Sequence, residues 1–485
     1  MEQNINRITD ILRRDDGISG AMMYTEQISW ILFLKFINDL EANKAEEAEI
    51  DGIEYRYIID KSYRWDEWAA PKDANGKLDL KKAQSGDDLL DFVNGKLFAY
   101  LRGFKSITQD AKSVKYKIGA IFEFIDNRIA NGHTLREVLD IIDAMDFQRQ
   151  SDLFELSVVY EKLLKDMGSD GGNSGEFYTP RPLIKLMTKV VDPRIGERIY
   201  DPAVGSCGFL IEAYNHIRPQ ELSTQQLQFL NQKSFYGNEK TPLSYVMGVM
   251  NMILHGIESP NIAKANTLTR NIRDIEEKDR YDVILANPPF GGKEKEQIQN
   301  NFPIKSNATE LLFLQHMMKS LKIGGRCGVV VPEGVLFQTN NAFAMVKKEL
   351  LENFNLHTIV SLPSGVFLPY SGVKTNVIFF DRIGSTSEIY YYEVTPPYKL
   401  TKNKPIAYEH FAEFLDSFST QKLGEHSWVV KVEDIKEYDI SAKNPHKNQA
   451  IEHKAPNELL NEIKANNQEI EGILGDIEKI LGEGV

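Results

Sequence analysis

The sequence predicts an α/β protein with a helical N-terminal domain, a core built on a mostly parallel sheet, and a C-terminal amphipathic helix. Three observations predict it. Between 197 and 393, strand-like apolar runs alternate with helix-like runs, the pattern of a doubly wound sheet. Before about residue 195 there is no such alternation, and apolar residues recur at helical spacing. Near the end, Leu459, Leu460, Ile463, Ile470, Ile473, Leu474, Ile477, Ile480 and Leu481 fall three or four apart with charges between them.

Ile8, Ile11 and Leu12, then Ile28, Ile31, Leu32, Phe36 and Leu40, give helices within 5–40 on either side of a Gly-containing break. Residues 45–90 are charged and irregular, with Pro71, Asn75-Gly76 and Ser85-Gly86 as turn signals. Helical spacing returns at 88–102, 117–130, 134–143 and 151–167. A Gly/Ser/Asn/Asp loop at 168–175 leads to Thr179, a good N-cap, and Pro180, a good first residue for a helix over 180–190. Strands follow at 198–201, 234–237, 281–286, 326–331, 356–361 and 375–380, with helices at 208–217, 241–255, 308–321 and 341–353. Residues 394–445 show little periodicity. The domain reading is 1–150, 151–445 and 446–485. The last segment is a helix that either contacts another subunit or folds back on its own chain, and Pro445 and Pro456 favour the contact.

At 485 residues, two or three domains are expected, and 42% hydrophobic with 26% charged residues describes a soluble globular chain. No run reaches the length of a membrane span, and the N-terminus has no apolar signal segment. The only cysteines, Cys207 and Cys327, form no Cys-x-x-Cys pair, which argues against a disulfide framework or a zinc site and fits a reducing cytoplasm. The absence of a Gly-x-x-x-x-Gly-Lys-Ser/Thr motif removes the ATP motors. A net charge of −13 argues against the whole surface gripping nucleic acid, though not against a local basic face.

The most informative motif is Asn287-Pro288-Pro289-Phe290, which follows the apolar run 281–286. Ligands of open α/β sheets bind outside the carboxyl ends of strands. There the Asn287 carboxamide oxygen and a Pro288 or Pro289 carbonyl can accept the two hydrogens of an exocyclic amine, and Phe290 offers a stacking face. The same residues are also compatible with a strand stop and a core aromatic. Asp201-Pro202-Ala203-Val204-Gly205-Ser206-Cys207-Gly208 joins the first strand of the alternating region to a helix. Gly205 and Gly208 allow close backbone approach, and Asp201 suits an ammonium group. The turn lacks the full Gly-x-Gly-x-x-Gly fingerprint, which disfavours a dinucleotide. Glu239, at the tip of the second strand, is placed to accept from a ribose diol, or simply to favour the N-terminus of the next helix. Ala265-Asn266-Thr267-Leu268 could line an adenine site. An ammonium acceptor, a ribose acceptor and an amine acceptor on strand tips are what a methyl donor made of an amino acid and a nucleoside requires.

These residues resemble the modification subunit of type I restriction–modification systems. The resemblance is carried by Gly175-Glu176-Phe177-Tyr178-Thr179-Pro180-Arg181, the turn from Asp201, Gly237-Asn238-Glu239, the Asn-Pro-Pro-Phe motif, and Asn307-Ala308-Thr309-Glu310-Leu311-Leu312-Phe313-Leu314. It implies a Rossmann-like class I methyltransferase core, S-adenosylmethionine as cofactor, and transfer to N6 of a flipped adenine in double-stranded DNA. It also implies cofactor contacts from Glu176, Phe177, Tyr178, Thr179, Pro180, Arg181, Ser206, Cys207, Gly208 and Glu239. Where the family usually shows Gly or Ala this chain has Cys207, and where it shows Cys or Ala this chain has Val204. The implied partners are a specificity subunit that reads the sequence, a second modification subunit, and an ATP-dependent restriction subunit.

No nucleophilic residue is required, and neither cysteine follows a proline as a cytosine-C5 nucleophile commonly does. Cytosine N4 presents a similar amine, and Asn rather than Ser at position 287 favours adenine by resemblance. The competing readings are an amino methyltransferase of protein glutamine or RNA, and a non-catalytic cofactor-binding scaffold. Phe367 is either a second stacking face or a core aromatic, and residues 291–307 are either a target loop or a plain surface loop.

Overall fold

In the computed structural model, which describes residues 1–108, 110, 113–145, 147, 155, 160–163, 179–257, 260–446, 464, 467, 470, 471 and 474, the apolar runs assemble into one nine-stranded sheet of order β3-β2-β1-β4-β5-β7-β6-β8-β9. The strands are β1 (Ile199–Asp201), β2 (Phe235–Glu239), β3 (Asn261–Lys264), β4 (Tyr281–Ala286) and β5 (Leu321–Pro332). They continue as β6 (Asn355–Ser361), β7 (Thr375–Asp381), β8 (Glu388–Glu393) and β9 (Ser427–Lys431). From β3 across to β5 all neighbours are parallel. β7 then inserts antiparallel between β5 and β6, β8 is parallel to β6, and β9 antiparallel to β8. The chain leaves β1 toward β2 and later returns to β1's other side with β4. That reversal opens a crevice at the carboxyl ends of β1 and β4.

The sheet is covered on both faces, which explains why its central strands read as unbroken apolar runs. In β4, Val283 and Leu285 join one buried cluster while Ile284 and Ala286 join the other. The first cluster takes in helices Arg181–Val191, Gly208–Ile217 and Pro242–Leu254, and the second Thr309–Ser320 and Asn341–Asn353. The N-terminal helices extend the first cluster. Helix Ala21–Ile50 buries Ile28, Trp30, Ile31, Leu32 and Phe33 completely, as expected where a helix is apolar around most of its girth. Its Ser29 hydroxyl reaches Met247 Sδ at 3.3 Å on helix Pro242–Leu254. Residues Met1–Ala442 accordingly form one compact unit, and Lys443–Val485 a second.

Several sequence expectations change. The helix expected over 117–130 is Val114–Phe122. Arg102 donates to the carbonyls of Phe122 (2.9 Å) and Ile125 (2.8 Å), and Gln27 takes the Asp126 carbonyl (3.1 Å) and the Arg128 N–H (3.0 Å). The backbone groups a longer helix would use are thus satisfied from other helices. Helix Thr224–Lys233, closed by a Ser223/Gln226 capping box, and strands β3, β8 and β9 were absent from the sequence reading. The expected helix at 151–167 and loop at 168–175 lie outside the described residues, apart from positions 155 and 160–163, which are helical. The C-terminal helix does too, apart from 464, 467, 470, 471 and 474. These are helical, and Ile470 and Leu474 are exposed.

Candidate active site

The turn after β1 is held by hydrogen bonds from several directions. Asp201 Oδ1 accepts from Ala203 N (2.9 Å), Val204 N donates to the Asn238 carbonyl (3.1 Å), and Cys207 N donates to the Val204 carbonyl (2.7 Å). Gly205 (φ 48°) and Cys207 (φ 64°) take the left-handed region, and Cys207 does so without glycine's freedom. The Pro202 carbonyl receives Thr267 Oγ1 (2.6 Å) and the Ser206 carbonyl receives Asn251 Nδ2 (2.9 Å). Two distant glycines make room for it. A Cβ on Gly237 would stand 2.1 Å from Val204 Cγ1, and one on Gly248 would stand 2.6 Å from the Gly205 carbonyl oxygen and 2.8 Å from Cys207 Sγ.

Glu239, at the tip of β2, binds this turn directly. Its Oε2 accepts from Gly205 N (3.0 Å) and its Oε1 from Thr241 N (2.7 Å), which leaves further lone pairs on each oxygen. Asp201 and Glu239 are 1% and 8% exposed, and neither has an ion-pair partner among the described residues. Burial pushes the Asp201 carboxyl up to about 8, against the opposing Ala203 N–H, and the Glu239 charge adds to the rise. Burial also raises Glu239, against its backbone hydrogen bonds. Two buried carboxyls on adjacent strand tips therefore lack a cation.

At the tip of β4, Asn287 Nδ2 donates to Thr179 Oγ1 at 3.0 Å. Its Oδ1 is buried and receives no hydrogen bond. A carboxamide oxygen cannot donate, so it is left without a donor. Pro288 is buried beneath, and the Phe290 ring meets Phe367 edge to face, centroids 5.8 Å apart at 83°. Phe367 is itself 4% exposed, so it backs Phe290 from within the core.

Two cavities meet at these tips. The larger, about 300 Å³, is bordered by Glu239, Asn266, Asn287, Pro289, Phe290 and Phe313. The smaller, about 20 Å³, is bordered by Thr179, Asp201, Ser206, Gly208 and Asn287. Ala203, Gly205 and Asn287 border both. Ala265, Asn266 and Thr267 lie on the larger one, in line with the sequence reading of that segment.

Not every expected site residue lines this crevice. Glu176, Phe177 and Tyr178 lie outside the described residues. Thr179 is not the helix cap: helix Arg181–Val191 starts from Pro180 with no side-chain cap, because the Thr179 hydroxyl serves Asn287 instead. Cys207 is fully buried with its sulfur toward Gly248. Arg181 donates to the Gly208 carbonyl (3.2 Å) and pairs with Glu161, pinning the helix that follows the turn, and burial lowers it to about 10. Beside that pair, burial holds His255 down to about 4. Residues 291–307 form a folded loop. Glu294 N donates to the Asn307 carbonyl (3.0 Å), Asn301 Nδ2 to the Leu268 carbonyl (3.1 Å), and Phe302 is 1% exposed. Thr267, Asn251, Gly237 and Gly248 were missed as supports of the turn. Their partners are remote in sequence, and no local signal marks them.

Residues 149–455 match the N-6 DNA Methylase family, and residues 1–147 match the HsdM N-terminal domain. The chain is 36% identical over 493 residues to the type I restriction enzyme EcoEI methylase subunit of Escherichia coli, covering 99% of this chain and 97% of the relative. It is 30% identical to the StySPI methylase subunit of Salmonella potsdam, over 76% of this chain and 65% of the relative. Its fold matches a crystal structure assigned as a type I restriction enzyme modification subunit of Vibrio vulnificus at TM-score 0.83 and 37% identity, covering 93% and 99% of the two chains. It also matches a chain from a study of type I restriction–modification complex assembly at TM-score 0.80 and 42% identity, covering 100% and 98%.

Proposed function

The chain belongs to the modification (methylase) subunits of type I restriction enzymes and is an N6-adenine DNA methyltransferase, and from that premise we propose which of its residues carry the transfer. The observation that carries the proposal is the buried, unpartnered Oδ1 of Asn287 on the wall shared by two cavities. It is the acceptor that an amino group, extruded from the DNA stack, would complete.

S-adenosylmethionine fits the donor side and, when bound, supplies an electrophilic methyl on a sulfonium. Its ammonium answers the uncompensated Asp201 carboxyl, and the free lone pairs of Glu239 suit a ribose diol. Gly205, Ser206 and Gly208 allow close approach from the turn. The segment 176–181 and Cys207 complete the proposed cofactor set, with Arg181 and Cys207 holding its geometry from behind.

On the acceptor side, Asn287 Oδ1 takes one N6 hydrogen and a carbonyl of the Pro288-Pro289 pair takes the other. Both draw charge onto the nitrogen and aim its lone pair. Phe290, braced by Phe367, stacks on the base. No enzyme nucleophile takes part, so holding the two reactants in line carries most of the rate. After transfer the nitrogen is cationic and acidic enough to lose its proton to water.

The likeness to type I methylase subunits supports assembly with a specificity subunit, a second modification subunit and an ATP-dependent restriction subunit on double-stranded DNA. The net charge of −13 supports a partner that supplies much of the grip on DNA. The segment 446–485 is the proposed subunit contact. Two free, buried cysteines support a cytoplasmic location. Asn287→Ala, assayed in the complex with the specificity subunit, should abolish transfer to DNA adenine while S-adenosylmethionine still binds by calorimetry. Surviving transfer would remove Asn287 from the chemistry.

A further inference from the structure

We propose that Thr179 is a positioning residue for the Asn287 carboxamide, so that the segment entering helix Arg181–Val191 fixes where the amide stands toward the target base. The inference rests on Asn287 being the amine acceptor. Four observations carry it. The contact is direct, with Asn287 Nδ2 donating to Thr179 Oγ1 at 3.0 Å across 108 residues of sequence. The other end of the amide, Oδ1, is buried and unpartnered. The Thr179 hydroxyl is not used by the helix it precedes, whose cap is Pro180 without a side-chain bond. Finally, Thr179 and Asn287 both border the smaller cavity, and Asn287 also borders the larger.

A carboxamide has two ends of nearly equal size and opposite hydrogen-bond character. Turned over, Asn287 would aim N–H donors at an amine that needs acceptors. The Thr179 hydroxyl, which can meet either end, fixes the place of the amide, and the amine, which needs an acceptor, keeps Oδ1 toward it. The hydroxyl is itself fixed in place. Leu183 N and Ile184 N bond the Pro180 carbonyl (2.9 and 3.1 Å), and Arg181 ties the next residue to Gly208 and Glu161. The hydroxyl therefore joins the Thr-Pro segment to the Asn-Pro-Pro-Phe segment at the point where the two cavities share a wall.

The test uses the complex with its specificity subunit and unmethylated DNA. Methyl transfer is followed at saturating S-adenosylmethionine, and cofactor affinity is measured by calorimetry. Thr179→Val keeps the shape and removes the acceptor. At saturating cofactor it should lower kcat roughly tenfold, the worth of a hydrogen bond of ordinary strength. Thr179→Ser should restore kcat. An affinity loss with unchanged kcat would leave Thr179 a cofactor contact alone and overturn the proposal. A kcat of Thr179→Val equal to that of the parent protein would overturn it too. Retained transfer by Asn287→Ala would instead show that the acceptor assignment had failed, and is read separately.

Discussion

The buried Asp201 makes cofactor affinity depend on pH in a definite direction. Its carboxyl is raised from the ordinary 3.8 to about 8, chiefly by burial. A raised acid holds its proton in the free protein and gives up stability as pH climbs from the ordinary value through the raised one. At pH 7 about nine-tenths of the free protein is therefore protonated at Asp201. Bound to an ammonium, the carboxyl must be ionised, and the pair keeps one proton between them. An α-amino group has a pKa of about 7.8. Below pH 8 binding thus releases a proton, roughly three-quarters of one at pH 7, and above pH 8 it takes one up. Affinity should rise roughly 20-fold from pH 6 to pH 8 and fall again on the alkaline side. Calorimetry at pH 7 in two buffers of different ionisation enthalpy reads the proton directly. Burial raises Glu239 as well, so Asp201→Asn isolates the share of Asp201 by flattening the acid limb. A flat affinity between pH 6 and 8 with no proton exchange would refute the reasoning.

Two further outcomes follow from the turn. Glu239→Ala removes the acceptor for Gly205 N and Thr241 N as well as the proposed ribose acceptor. It should weaken S-adenosylmethionine binding by about 1–3 kcal/mol in calorimetry, and unchanged affinity would remove Glu239 from the site. Gly248→Ala places a methyl 2.6 Å from the Gly205 carbonyl and 2.8 Å from Cys207 Sγ. Overpacking of this kind costs about 1–3 kcal/mol, so in a unit of this size the variant should melt roughly 1–3 °C lower and bind the cofactor more weakly. A melting curve and affinity matching the parent protein would show that the turn tolerates displacement.

How much of this was legible in the sequence depended on range. β1 and β4 were readable because burial on both faces makes a run apolar, and β2 from Phe235 and Tyr236; their tips carried Asp201, Glu239 and Asn287 into one crevice. β3 was not, because as an edge strand only its Ile262 is buried. β8 and β9 escaped because they lie beside or within residues 394–445, which show little periodicity, and their pairing is settled by non-local contacts such as Tyr391 stacked on Trp428 at 5.4 Å. Thr179 shows the opposite failure. Thr-Pro is a sound local signature of a helix start, and a partner 108 residues away takes the hydroxyl that local rules assign to capping. Gly248 reads as an ordinary mid-helix glycine until the turn packed against it is seen.

An unpartnered buried atom is weak evidence taken alone. Thr25, Thr188 and Ser244 also have buried hydroxyls without partners. All three lie within helices, where a modest rotation brings a hydroxyl to the carbonyl one turn back. Asn251 Oδ1 is a closer parallel, since it too is a carboxamide oxygen with no donor, and its Nδ2 is likewise engaged, by the Ser206 carbonyl. Asn251, however, is fully buried in helix Pro242–Leu254 and borders neither cavity. It lines no part of that crevice, and its oxygen only adds to the cost of holding the turn. Asn287 differs in standing at a strand tip where two cavities meet. Its missing donor can therefore be brought by a substrate, and cavity access separates the acceptor of a reaction from a polar group that the fold merely tolerates.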